Sequence, residues 1–454
     1  LFPKWKMWTQ FIVDEQQPAM RLDALEHTHP IEVAINHPDE IRTIFDNISY
    51  GKGASVIHML YHFLGAKDFQ AGLRYYLKKH AHKISDTGDL WDALEEEKKK
   101  PVAEFMHAWT SQSGYPLVHA DATYTGLQLK QERFVLNPSS EARSDVATWP
   151  VPLLANDKTL PVSFDVAAQH LPNHEPNAFK LNMGGSGFYR TLYNASHVQA
   201  LAGQIKTGHL TPLDRLGVLA DVAEAAKAGY SDAAEVLNLM SAYKEEDDNA
   251  VWDVMASTLG SIRAVMDDED VREAMKPYTR KLVAKQVKRL GWEIEPHESH
   301  FDRLLRPTVL SMASASDEPE IVAYAQQRFA EMHDTTDLET ELKSAGERQN
   351  LRANNLDPDL RSVVYGTIAR TGGEAEFNKM LAMHRHTTSN EEKLTLCAAL
   401  TGFKQPELID RALELITSKD VRLQDVAYWL AYSFMNRHAR VKTWKWVQKN
   451  WKWL

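Results

Sequence analysis

Apolar residues recur along this chain at a helical spacing, then at a strand spacing, then at a helical spacing again. That order dictates a multi-domain, mostly α fold with a β insert. In GKGASVIHMLYHFLG, Val56, Ile57, Leu60, Phe63 and Leu64 share one face at three- and four-residue steps, and Gly65 is placed as a C-cap. DFQAGLRYYLKKHAH and TGDLWDALEEEKKKPVAEFMHAWTSQSG continue the pattern, with Thr87 and Asp89 as capping candidates. The run from Glu95 to Lys100 reads as a solvated turn of helix with opposite charges in reach. At GYPLVHADATYTGLQLKQERFVLNP the period drops to two, Leu127 and Leu129 alternating with Gln128 and Lys130 before a stop at Asn137-Pro138. WPVPLLANDKTLPVSFDV reads as two strands about Asn156-Asp157, and FKLNMGGSGFYRTLYN as two more about a glycine cluster. From His197 onward, segments such as RLGVLADVAEAAKAG, EIVAYAQQRFAEM, LIDRALELIT and LQDVAYWLAYSFM are helix-length and apolar on one side. The expected domains are residues 1–114, helical; 115–194, a small β-sandwich; and 195–454, a helical superhelix of stacked pairs, truncated at its C-terminus.

Composition narrows the function classes. With 454 residues the chain exceeds what one hydrophobic core serves. A formal charge of −10 argues against a nucleic-acid partner, which calls for a basic surplus. No run of 18 apolar residues exists, so no membrane-spanning segment is expected. The sole cysteine, Cys397, excludes an internal disulfide, points to a reducing, cytoplasmic setting, and is expected to pack as a small apolar residue inside a helix. Leu1 is not a biosynthetic start and WKWVQKNWKWL carries no stop signal, so the chain reads as a piece of a longer protein.

Nineteen histidines invite a search for zinc. The helical pattern H-E-x-x-H, which sets two imidazoles and a water-activating glutamate on one face, is absent. His174-Glu175 is followed by Pro176, and His297 and His300 have one residue too few between them. His58 and His62 have the right spacing, but Met59 stands at the glutamate position and both lie opposite the apolar face read above, on a solvated or cleft-facing surface. His27 with His29, and His80 with His82, are two apart, a spacing that shares no helix face. The cluster at Gly184 to Gly187 reads as a β-turn, and Asn47 and Asn194 match the glycosylation acceptor pattern. Tyr50, taken alone, is an amphipathic tyrosine at a helix start, half buried with a wet hydroxyl.

Read together, several segments resemble the zinc aminopeptidases of the aminopeptidase N type, gluzincin metallopeptidases. They are FPKWKMW, LDALEHTHPIEV, EIRTIFDNISYGKGASVIHML, WTSQSGYPLV, KQERFVL, WPVPL, NMGGSGFYRTLY, LDRLGVLAD, LDPDLRSVVY and NRHARVKTWKWVQKNW, in the family's order. The resemblance implies the helical second half of a thermolysin-like catalytic domain, a β-sandwich and a HEAT/armadillo-like superhelix. It implies an enzyme that releases N-terminal amino acids from peptides, and it makes Tyr50 the catalytic tyrosine, donating to the oxyanion of the transition state. Arg440 matches an arginine of the family's G-R-x-x-x-W segment, a substrate-binding candidate, although Ala439 replaces the glycine. The family's zinc ligands and its G-A-M-E-N motif fall before Leu1. Zinc is therefore expected in the intact enzyme and no metal ligand in this chain, which alone is expected to be inactive. The partners implied are peptide substrates and the N-terminal portion of the same protein. The alternative is a non-catalytic relative acting as a peptide-binding or interaction scaffold.

Overall fold

Two helical rods with an unusual local winding set the geometry of the N-terminal region. The computed structural model describes residues 2–98, 101–137, 139, 147–172, 178–332 and 356–454. The chain divides into two compact units, Leu1–Glu246 and Asp247–Leu454.

In the first unit, Met7–Phe11, a π-helical stretch Ile12–Gln16 and Gln17–Asp23 join end to end, since the junction residues keep right-handed helical angles. The second rod repeats the device: a π-helical turn Ile48–Lys52 runs directly into the α-helix Gly53–Leu64, which stops at Gly65 with φ 87°. A π-turn carries one extra residue and marks a site where backbone regularity has given way to another demand. The helices Ala66–Lys79, Thr87–Lys98 and Val102–Ser111 complete this part. The helix at Thr87 is capped one residue earlier than expected. Asp86 Oδ1 accepts from Asp89 N at 3.1 Å while Asp89 Oδ2 accepts from Asp86 N at 3.1 Å, the reciprocal pattern of a capping box. The charge run from Glu95 lies partly outside the described residues.

The strands form a four-stranded sheet of order β5-β2-β1-β6 and a separate pair β3-β4, with β1 Pro116–Thr123, β2 Gly126–Arg133, β3 Val151–Pro152, β4 Ser163–Phe164, β5 Ala168–Pro172 and β6 Arg190–Tyr193. β1 and β2 are an antiparallel hairpin turning at Tyr124-Thr125, and β1 pairs with β6 in parallel. Gly126 has φ 135°, and a Cβ there would lie 2.1 Å from Leu171 O of the neighbouring strand, so the register depends on glycine. Two expectations differ from the structure. Only one strand, β6, forms in FKLNMGGSGFYRTLYN, because residues 178–182 run without a ladder into a 3-10 turn at Met183–Gly185. β5 was not foreseen: its burial alternates at an exposed edge, and AQHLP has too little apolar character to announce a strand. The helices Ala195–Lys206, Pro212–Lys227 and Ala233–Met240 close the unit. Asn194 caps the first of them, accepting from His197 N at 3.0 Å and donating to Ala122 O at 3.1 Å, so its amide is already engaged.

The second unit is helical throughout its described residues. Asn249–Val265, His300–Ser314, Arg361–Thr371, Asn390–Leu400 and Val426–Met435 touch in series, each with intervening helices packed beside it. Cys397 is buried in Asn390–Leu400, and burial pushes its thiol pKa up, as expected of a packing residue. None of the described helices is long and apolar enough to cross a membrane.

Candidate active site

Tyr50 lies at the centre of the π-turn with 59% of its surface exposed and its ring 5.9 Å from that of Phe45. Its hydroxyl meets no hydrogen-bonding partner among the described residues. The ring is more exposed than a half-buried structural tyrosine requires. The backbone beneath it, by contrast, is held at every point. Asp46 O accepts from Tyr50 N at 3.1 Å, and Asn47 O accepts from Lys52 N at 2.9 Å, the i to i+5 bond of the π-turn. Asp46 Oδ1 accepts from Ile48 N at 2.9 Å and Ser49 N at 3.1 Å, satisfying two donors that a helix start leaves orphaned.

Two ion pairs bracket this turn. Before it, Asp46 Oδ2 lies 2.7 Å from His29 Nε2. After it, Lys52 Nζ lies 2.9 Å from Asp23 Oδ2, with both side chains fully buried. Lys52 Nζ also donates to Gln112 O at 3.1 Å and Gly114 O at 2.9 Å, and Asp23 Oδ1 accepts from Thr28 Oγ1 at 3.0 Å and Gly114 N at 2.9 Å. Burial pulls the Lys52 ammonium below the ordinary lysine range against the pull of Asp23. The turn also rests on the first π-helical stretch through Gly51, where a Cβ would meet Glu15 O at 2.8 Å and Ala19 Cβ at 3.0 Å. The sequence reading weighed His29 only as half of a metal pair with His27 and set it aside, and it singled out none of Asp23, Asp46, Gly51 or Lys52. Asp46 alone carries a local signal, an acidic N-cap three residues before Ser49. The others act across distances that no local pattern records.

The histidines fall out differently from the sequence reading. His58 is buried, not solvated, with its ring stacked on Trp8 at 4.0 Å. The buried face takes Met59 into the core and leaves Ile57 44% exposed, a rotation of the assumed apolar stripe. His58 Nε2 lies 3.1 Å from His62 Nε2, and burial first, then His62, pulls its pKa to about 4. Two imidazoles do not make a zinc site. Among the described residues no group of three or more His, Cys, Asp or Glu stands close enough to hold a metal ion, so the described residues do not fit zinc. His174-Glu175 lies outside the described residues. The glycine cluster is a structural knot: Gly184 N donates to Asp214 Oδ1 at 2.7 Å, and Gly185 O accepts from Gln16 Nε2 at 3.0 Å.

Arg440, in the second unit, donates from Nε to Phe434 O at 3.0 Å and from Nη1 to Ala264 O at 3.4 Å. It caps the carbonyl ends of two helices, the favoured place for a cation. Ala439 before it has φ −101°, an angle that does not demand glycine.

The chain matches two sequence families. The peptidase family M1 domain covers residues 1–109, and the ERAP1-like C-terminal domain covers residues 178–454. It is 31% identical over 460 residues to "Aminopeptidase 2" of Candida albicans, covering 99% of this chain and 48% of the relative. It is 31% identical over 456 residues to the "Alanine/arginine aminopeptidase" of Saccharomyces cerevisiae, covering 99% and 51%. It is 32% identical over 479 residues to "Aminopeptidase M1" of Arabidopsis thaliana, covering 100% and 52%. The chain thus spans about half the length of the curated relatives it matches.

Proposed function

The chain belongs to the aminopeptidase N-type M1 metallopeptidases, and from that membership we propose that the protein containing it is a zinc-dependent aminopeptidase releasing N-terminal residues from peptides. The observation that carries the proposal is the Tyr50 turn itself. It lies inside the M1 match and presents an exposed, uncommitted hydroxyl on a backbone fixed from both sides. A phenol is neutral near pH 7 and can donate, so Tyr50 is assigned the hydrogen bond to the oxyanion that forms as the peptide carbonyl is attacked. A donor already aimed at that charge costs no reorganisation as the charge develops.

Zinc, in this family, supplies Lewis acidity and an attacking water of lowered pKa. Its ligands are assigned to the part of the protein outside this chain, because the resemblance puts the family's zinc motif ahead of the FPKWKMW segment and the chain spans about half the length of its relatives. Arg440 enters the proposal as a helix cap, its guanidinium already turned to two carbonyls. The three-part division into residues 1–114, 115–194 and 195–454, with the middle part a β-sandwich and the last a superhelix, belongs to the same proposal. It is supported by the strands clustering between Pro116 and Tyr193 and by the serial helix contacts of the second unit.

The test is hydrolysis by the full-length protein of one peptide with a free N-terminus and its N-acetylated twin. The free peptide should lose single N-terminal residues while the acetylated one is spared. Binding of both without cleavage would favour the scaffold alternative, and equal cleavage would end the exopeptidase assignment.

A further inference from the structure

The segment from Asp23, the last residue of its helix, to His29 in the loop that follows grips the Tyr50 turn at both ends with ion pairs of opposite sense. Asp23 and His29 are six residues apart, as are Asp46 and Lys52, and they pair as Asp23 with Lys52 and His29 with Asp46. The Asp23–Lys52 pair is fully buried. The His29–Asp46 pair is not: its side chains are 29% and 26% exposed, so water and protons reach it. His29 Nδ1 lies 2.8 Å from Pro30 O, a carbonyl that can only accept, so Nδ1 carries a proton. Nε2 faces the Asp46 carboxylate at 2.7 Å, so it carries one too. Asp46 in turn spends its other oxygen on the Ile48 and Ser49 amides and its carbonyl on the Tyr50 amide.

We propose that His29, donating from both ring nitrogens, is a positioning residue for Tyr50: it holds Asp46, and Asp46 holds the backbone that aims the Tyr50 hydroxyl. This rests on the reading of Tyr50 given above. The charged groups acting on the ring are Asp46 and, from the helix before it, Asp23. Burial pulls the His29 pKa down, but the Pro30 carbonyl and Asp46 outweigh it and the net direction is up. Burial likewise pushes Asp46 up, and the His29 bond with the Ser49 and Ile48 amides leaves it below the ordinary carboxylate value. The sign follows from these two directions. The clamp is complete between the ordinary carboxylate value of 3.8 and the ordinary histidine value of 6.5; it is lost as pH falls through the lowered Asp46 value and as pH rises through the raised His29 value. Tyr50 is then less well aimed, and kcat falls on the alkaline side.

The test is a double-mutant cycle in the full-length enzyme, read with an unblocked aminoacyl p-nitroanilide. His29→Ala should lower kcat about tenfold or more with KM nearly unchanged, because a small misplacement of a catalytic group is costly. In the Tyr50→Phe background the same substitution should change kcat less than about twofold, since the hydroxyl it positions is gone. His29→Gln keeps a donor to Asp46 and cannot titrate, so it should recover much of the rate and lose the alkaline fall. Equal losses from His29→Ala in both backgrounds, or an alkaline limb unchanged in His29→Gln, would overturn the inference while leaving the role of Tyr50 standing. A wild-type rate in Tyr50→Phe itself would instead overturn the reading on which it rests.

Discussion

At the residue scale, His58 shows how burial rewrites a group that local chemistry makes look available. Its ring is covered by Trp8, and its pKa is pulled from 6.5 to about 4 by burial and by His62. A histidine depressed in the fold stays neutral there while the unfolded chain takes up a proton. Its contribution to stability is therefore full above the unfolded value of 6.5 and is lost progressively as pH falls toward about 4. His58→Leu keeps an apolar body under Trp8 and removes the titration. The variant's melting temperature should fall less steeply than wild type between pH 6.5 and about 4. Parallel curves would mean that the ring is not held neutral. The sequence placed His58 on the wrong face because Ile57 and Met59 are equally apolar, and the stripe can rotate by one residue without violating its period. Only the packed neighbours choose between them.

At the element scale, the two π-helical stretches meet where Gly51 closes on Glu15 O and Ala19, and that approach fixes the height of the Tyr50 turn. Gly51→Ala would introduce a methyl against main chain rather than against a movable side-chain tip. It should cost about 1–3 kcal/mol in stability, as overpacking usually does. It should also lower kcat about tenfold or more by displacing Tyr50, checked by denaturant unfolding beside steady-state kinetics. Stability lost with kcat intact would show that the turn keeps its aim without this contact. Much at this scale was legible in advance. The helix at Gly53–Leu64, its stop at Gly65 and the strand alternation about Leu127 and Leu129 follow from periodicity and capping chemistry. What escaped was set by partners distant in sequence: β5 depends on the β2 edge it pairs with, and the ion pairs about Tyr50 join residues 17 and 29 positions apart. A cap such as Asp86 was missed by a single residue because Thr87 offers the same signal.

At the scale of the whole molecule, the proposed mechanism takes its donor, Tyr50, from this chain and its metal from elsewhere in the protein; among the described residues no group of three or more His, Cys, Asp or Glu could hold a metal ion. If zinc is held by the part of the protein outside this chain, a chelator should abolish activity of the full-length enzyme. Replacing His58 or His62 with Gln should then leave zinc content unchanged. Loss of stoichiometric zinc in either variant would move the metal into this chain. The central claim is that Tyr50 acts on the transition state, and the most direct measurement is the rate of full-length Tyr50→Phe. That substitution keeps the ring and removes one hydroxyl, so melting temperature, zinc content and KM should stay near wild type. Loss of an oxyanion donor should lower kcat and kcat/KM together by roughly 100- to 1,000-fold. A Tyr50→Phe enzyme that keeps more than about a third of the wild-type kcat would contradict the account.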